Sequence, residues 1–161
     1  MEEITESTLN DNPTYVIYKS LSDDLKLHFR NEYLKRIVWT AMTREIFIDK
    51  RSIDCLVSIT RGDMDEKAKE EAWKAYNDLQ HCERVFNGSN KDIIIYVVET
   101  NIAEAIWVNS RSVMTERPFP DKLFWEIVGV IDNYMGSHGG WIRTKLQNLR
   151  EQSSPQDCVN Q

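Results

Sequence analysis

The stretch Ile93-Ile94-Ile95-Tyr96-Val97-Val98-Glu99-Thr100-Asn101-Ile102-Ala103-Glu104-Ala105-Ile106-Trp107-Val108 decides the fold. Its apolar residues point all round instead of forming one stripe, and a segment that is hydrophobic on every side has to be enclosed by others. The β-branched run from Ile93 to Val98 is dense enough to open a strand. Sixteen residues are long for a strand, however, and Ala103-Glu104-Ala105 favours helix, so the composition predicts a buried central helix over 93–108.

The flanking segments read as its covers. Downstream, Pro118 and Pro120 break the chain. Leu123, Phe124, Ile127, Val130, Ile131 and Tyr134 then recur at helical spacing until Gly136 stops them, and His138-Gly139-Gly140 turns the chain into a last amphipathic segment from Trp141 to Leu149. Upstream, Asp63 is placed to cap a long helix carrying Ala68, Ala72, Tyr76, Leu79, Val85 and Phe86, ended by Asn87-Gly88. Ser52 to Ile59 is short enough to be strand or helix; helix is expected because few comparable segments exist to pair with it in a sheet. Asn31 is a candidate N-cap for a helix through Leu34, Ile37, Val38, Met42, Ile46 and Phe47. Pro13 suits the first turn of a helix with Val16, Ile17, Leu21, Leu25 and Phe29.

The expected fold class is all-α: one domain over 13–150, about seven helices around a hydrophobic central one, with a flexible acidic tail at 1–12 and a polar tail at 151–161. At 161 residues and 41% apolar composition the chain can enclose one real core. A formal charge of -6 disfavours binding to a phosphate backbone, so no nucleic-acid partner is expected. Cys55, Cys82 and Cys158 are odd in number and form no C-x-x-C pair, which points to a reducing compartment without disulfides or structural zinc. Neither a signal peptide nor a membrane anchor is visible, so a cytoplasmic location is expected and Asn87-Gly88-Ser89 reads as a turn.

No motif with a stated catalytic mechanism occurs, and an enzyme is not expected. His28, His81 and His138 sit on separate segments without neighbours at metal-ligand spacing. The acidic run Asp63, Asp65, Glu66, Glu70, Glu71 lacks the glycine and spacing of a calcium loop and reads as a solvated helix start. No metal or cofactor is expected.

Two segments carry a resemblance. Val85-Phe86-Asn87-Gly88-Ser89-Asn90-Lys91-Asp92-Ile93-Ile94-Ile95 resembles the first homology motif of the B-cell lymphoma 2 (Bcl-2) family of apoptosis regulators, and Gly136-Ser137-His138-Gly139-Gly140-Trp141 is similar to that family's second motif. The separation from Asn90 to Trp141, 141 − 90 = 51 residues, is also similar to the family's. The resemblance spans roughly Asn31 to Leu149 and fits a divergent viral homologue. It departs from the family where the first motif carries an Arg that pairs with an Asp of the bound death-motif (BH3) helix: Ile93 stands there, with Lys91 and Asp92 in place of Trp and Gly.

What the resemblance implies is an inhibitor of apoptosis that sequesters the BH3 helix of a pro-apoptotic protein such as Bim in a groove between helices two to five and the last one. The implied groove residues are Phe47, Leu56, Tyr76, Leu79, Val85, Phe86, Asn90, Lys91 and Ile94, with Arg84 or Lys91 standing in electrostatically for the missing Arg. The resemblance implies that Gly139-Gly140-Trp141 start the last helix, with Gly140 and Trp141 fixing it; Gly88, Gly139 and Gly140 have the equally plain reading of helix stops, compatible with either function. Each apolar member of the groove set has core packing as its plain alternative. Recruitment to mitochondria would come through partners. The competing expectation is a helical scaffold acting through self-association or a folded partner, and a homodimer face can coexist with the groove.

Overall fold

The computed structural model describes residues 9–61, 65–81, 93–136 and 138–153. Among them are seven helices and no strand: α1 Pro13–Ser20, α2 Asp23–Thr43, α3 Lys50–Ile59, α4 Glu66–His81, α5 Ile93–Thr115, α6 Asp121–Met135 and α7 Gly139–Ser153. The all-α expectation therefore holds, and Ser52 to Ile59 is helical.

Three boundaries differ from the sequence reading. The apolar spacing runs unbroken from Val16 to Phe29, yet the chain stops at Ser20 and restarts, because Ser22 accepts from the Leu25 N–H at 3.3 Å and Asp23 and Asp24 favour a new helix start. Asn31 is consequently no cap but lies inside α2, where its Oδ1 accepts from Asn109 Nδ2 of α5 at 2.9 Å. The central helix does not end at Val108. Asn109 and Ser110 are fully buried and satisfied, Ser110 Oγ donating to the Ile106 carbonyl, so α5 continues to Thr115.

Other starts follow capping chemistry. Asn12 Oδ1 accepts from the Thr14 and Tyr15 N–H groups with Pro13 at the first position, and Asp49 does the same for Arg51. Asp65 Oδ1 accepts from the Ala68 N–H at 2.8 Å, which gives α4 its cap; the expected cap Asp63 lies outside the described residues. Gly139 and Gly140 are the first residues of α7, where the Gly-Gly-Trp resemblance puts them and not where their plain reading as helix stops does, and α7 runs through 151–153 into the expected polar tail. Leu9, placed by sequence in the flexible tail, is only 6% exposed and joins the core.

α2 closes with a Schellman arrangement, Ile46 N–H donating to the Ala41 carbonyl at 2.9 Å and Glu45 N–H to Met42 at 3.3 Å. This puts Glu45 at φ 59, a left-handed conformation that costs a side chain about 1 kcal/mol or more. Glu45→Gly is expected to raise stability by about 1 kcal/mol, read as a higher urea midpoint at unchanged m-value.

α5 packs against α2, α3, α4 and α6, and its Ile102, Ala105 and Ile106 are wholly buried. The enclosed position read from 93–108 thus holds along Val98, Ile102, Ala105 and Ile106, whereas Ile94 near the start of α5 is half exposed. A second part of the core is aromatic. Tyr15 and Tyr18 of α1, Phe29 and Tyr33 of α2, Phe119, Phe124 and Trp125 around the start of α6, and Trp141 of α7 form a chain of ring contacts, among them Tyr18–Phe124 at 5.2 Å and Phe29–Trp141 at 5.9 Å. α7 packs on α1 and α2 and so joins the two ends of the described chain.

Candidate partner-binding surface

α2 and α3 present facing stripes. On α2, Lys35, Val38, Trp39 and Met42 follow helical spacing; on α3, Ile53, Leu56, Val57 and Thr60 do the same. Between them lies an apolar surface cleft of about 400 Å³. Val38 and Leu56 are buried beneath it, whereas Trp39, Met42 and Val57 stand 70%, 52% and 53% exposed. Trp39 is the most exposed large hydrophobic residue among those described. Lys35 and Arg61 flank the cleft, and Arg61 pairs with Glu71 at 2.8 Å. Such an exposed ion pair contributes little to stability.

The residues expected to form the groove do not gather in this cleft. Leu56 lies at its base. Tyr76 and Leu79 are buried in the general core, because they fall on the inward face of α4. Phe47 and Ile94 are about half exposed and are not among the residues lining this cleft. Phe47 is held at its backbone, its N–H donating to Glu99 Oε1 of α5 at 3.1 Å. Arg84, Val85, Phe86, Gly88, Asn90 and Lys91 lie outside the described residues. Val16, Met42 and Tyr134, which the spacing puts on apolar stripes, are about half exposed. Trp141 stacks on Phe29 and Tyr33 and carries the Arg36 guanidinium 5.2 Å over its ring, which anchors α7.

Sequence reasoning missed Trp39. The signal was present: Leu34, Ile37, Val38 and Ala41 define the buried face of α2, and Trp39 falls off it. A large aromatic residue on the solvated side of a capped helix has no packing role there.

The described residues hold no group of three His, Cys, Asp or Glu side chains able to bind a metal ion. The Cys55 thiol is buried, donates to Ser110 Oγ at 3.1 Å, and is pushed up in pKa by that burial, which makes it a poor nucleophile. No described helix is long and apolar enough to cross a membrane.

The corner between α6 and α7 is the pH-sensitive point. His138 Nδ1 accepts from Arg36 Nε at 3.1 Å while its backbone N–H donates to Asp132 Oδ1 at 2.7 Å. Burial first, and the Arg36 guanidinium second, hold its pKa below the ordinary 6.5, against an opposing pull from Asp132. The native state therefore favours the neutral ring, and the unfolded chain binds the proton more readily. The stability that His138 contributes is complete above pH 6.5 and is lost as pH falls through the lowered native value. Denaturant unfolding from pH 7.5 to pH 5 is expected to show this decline in the native chain and a flatter profile in His138→Gln.

The fold and surface together define a class: an all-α bundle around an apolar central helix, with an apolar cleft on one flank and no metal-binding cluster among the described residues. No protein-family model, curated protein or solved structure matches the chain.

Proposed function

We propose that this chain is a divergent, virus-type member of the Bcl-2 family that inhibits apoptosis by sequestering the BH3 helix of a pro-apoptotic partner such as Bim. It acts as a binding protein, in the cytoplasm and at mitochondria where its partners recruit it. The observation that carries this reading is the cleft with Trp39, Met42 and Val57 on its walls and Leu56 at its base. An amphipathic helix uses apolar anchors at i, i+3, i+4 and i+7, and the facing stripes of α2 and α3 offer them complementary apolar surface at the same spacing. The enclosed α5 and the two sequence motifs add to the support.

The test is calorimetric titration of the protein with BH3 peptides of Bim, Bak, Bax, Bid and Puma, and with versions whose conserved Asp is replaced. Submicromolar binding of one peptide supports the sequestering function. No binding across the panel removes it. The same exposed Trp39 face favours a second reading, a scaffold that pairs with itself or with a folded partner; the peptide titration separates the two, because a groove binder captures an isolated amphipathic peptide whereas a scaffold needs a folded partner.

A further inference from the structure

We propose a second site, independent of the apolar cleft: a pocket at the start of α2 and α6 that takes a small zwitterion, its carboxylate directed inward to Arg30 and its ammonium group outward to Asp24 and Glu116. The pocket has a volume of about 410 Å³ and is built from the first turns of α2, the C-terminal turn of α5 and the 116–120 connection into α6. That is the size of a small-molecule site.

Its buried charge is what calls for a ligand. Arg30 lines the pocket and is only 6% exposed, yet its partners among the described residues are all neutral. Its Nε donates to Asn109 Oδ1 at 2.9 Å, its Nη1 donates to the Tyr18 hydroxyl at 2.9 Å, and its plane lies 5.4 Å from the Phe119 ring centre. A guanidinium has five N–H donors, and these bonds engage two of them. The nearby carboxylate of Asp121 is already paired with Lys26 at 3.1 Å. A cation withdrawn from water without a counter-ion is costly, and a carboxylate that accepts two parallel N–H bonds from its fork offsets that cost.

The rim has the opposite sign. Asp23, Asp24 and Glu116 are exposed carboxylates at the mouth and form no ion pair among the described residues, against one exposed cation there, Arg117. A phosphate or dicarboxylate would meet repulsion at this mouth. A molecule that is negative at its inner end and positive at its outer end matches both, with methylene groups between them against Leu27, Pro118 and Phe119.

The experiment titrates the full chain with glycine, 4-aminobutyrate and 6-aminohexanoate, with butyrate and butylammonium as single-charge controls, following by NMR the backbone amide resonance of Phe119, which lines the pocket in every variant. One of the two longer amino acids is expected to saturate the shift and to bind roughly tenfold more tightly than either control. Asp24→Asn with Glu116→Gln, both on the exposed rim, is expected to remove that preference over butyrate and leave the fold intact. Arg30→Lys is expected to weaken binding of all carboxylates. Shifts that never saturate, or saturable binding that neither the rim pair nor Arg30→Lys changes, overturn the proposal.

Discussion

Trp39→Ala is expected to lower the affinity for the tightest-binding BH3 peptide by about 2 kcal/mol, roughly thirtyfold, while leaving the urea midpoint of the free protein nearly unchanged. Both halves follow from its position. Tryptophan is the residue type whose truncation costs most at the centre of an interface, since it contributes a large rigid apolar surface with little side-chain entropy to lose. At 70% exposure in the free chain, Trp39 has most of that surface available to a partner and little committed to the core. Met42 and Val57 flank it and are about half exposed, so their truncation to Ala is expected to cost less, about 1 kcal/mol each. An affinity for the Trp39→Ala protein within twofold of the native value would remove the α2–α3 cleft as the binding surface, even if the peptide still bound elsewhere.

Phe124→Ala has the largest expected effect on folding, a loss of about 4 kcal/mol. Phe124 is fully buried and touches Tyr18, Phe29, Tyr33, Phe119 and Trp125, with ring centres 5.2 to 6.4 Å apart. Its removal leaves a cavity lined by rigid rings, which cannot collapse as flexible aliphatic side chains do. Domains of this kind are stable by about 5–15 kcal/mol, so the variant keeps only part of its margin. Chemical denaturation monitored by circular dichroism reads the loss directly, and a change below about 1 kcal/mol would contradict the central role given to this ring. The rings it touches come from three helices and a connection, and Phe29 and Tyr33 among them also hold Trp141 of α7, so the same variant is expected to loosen α1 and α7 together.

The helices were legible wherever local chemistry and burial agree. Residues 93–108 announce a central helix through apolar groups on every side, and α5 is enclosed by four neighbours. Where the reading failed, the deciding interaction was either distant in sequence or masked by an apolar spacing that ran across it. Asn109 looks like the end of an apolar run until Arg30 and Asn31 of α2 are known to bond with its side chain. Ser22 was hidden by an apolar spacing that carries on across it, because Leu21 is buried in the junction between two helices and so keeps the pattern without keeping the helix. The site was less legible than the fold. Periodicity tells inward from outward faces, but it does not say which outward apolar residue is functional. Leu56, Tyr76 and Leu79 were chosen as apolar members of expected groove helices, and only Leu56 lies at the cleft. Trp39 required the opposite question, namely which large apolar residue has no reason to be where it is.

The packing of α7 on α1 and α2 has a consequence for the order of events during synthesis. Tyr15, Tyr18, Phe29 and Tyr33 emerge early from the ribosome, yet Trp141 and the α6 rings that cover them arrive more than ninety residues later. The nascent chain therefore carries an aromatic surface that nothing in its own sequence can yet close, a state in which chaperone engagement is favoured and aggregation is a hazard. This half of the core becomes dry only once α6 and Trp141 have been made and have docked on α1 and α2.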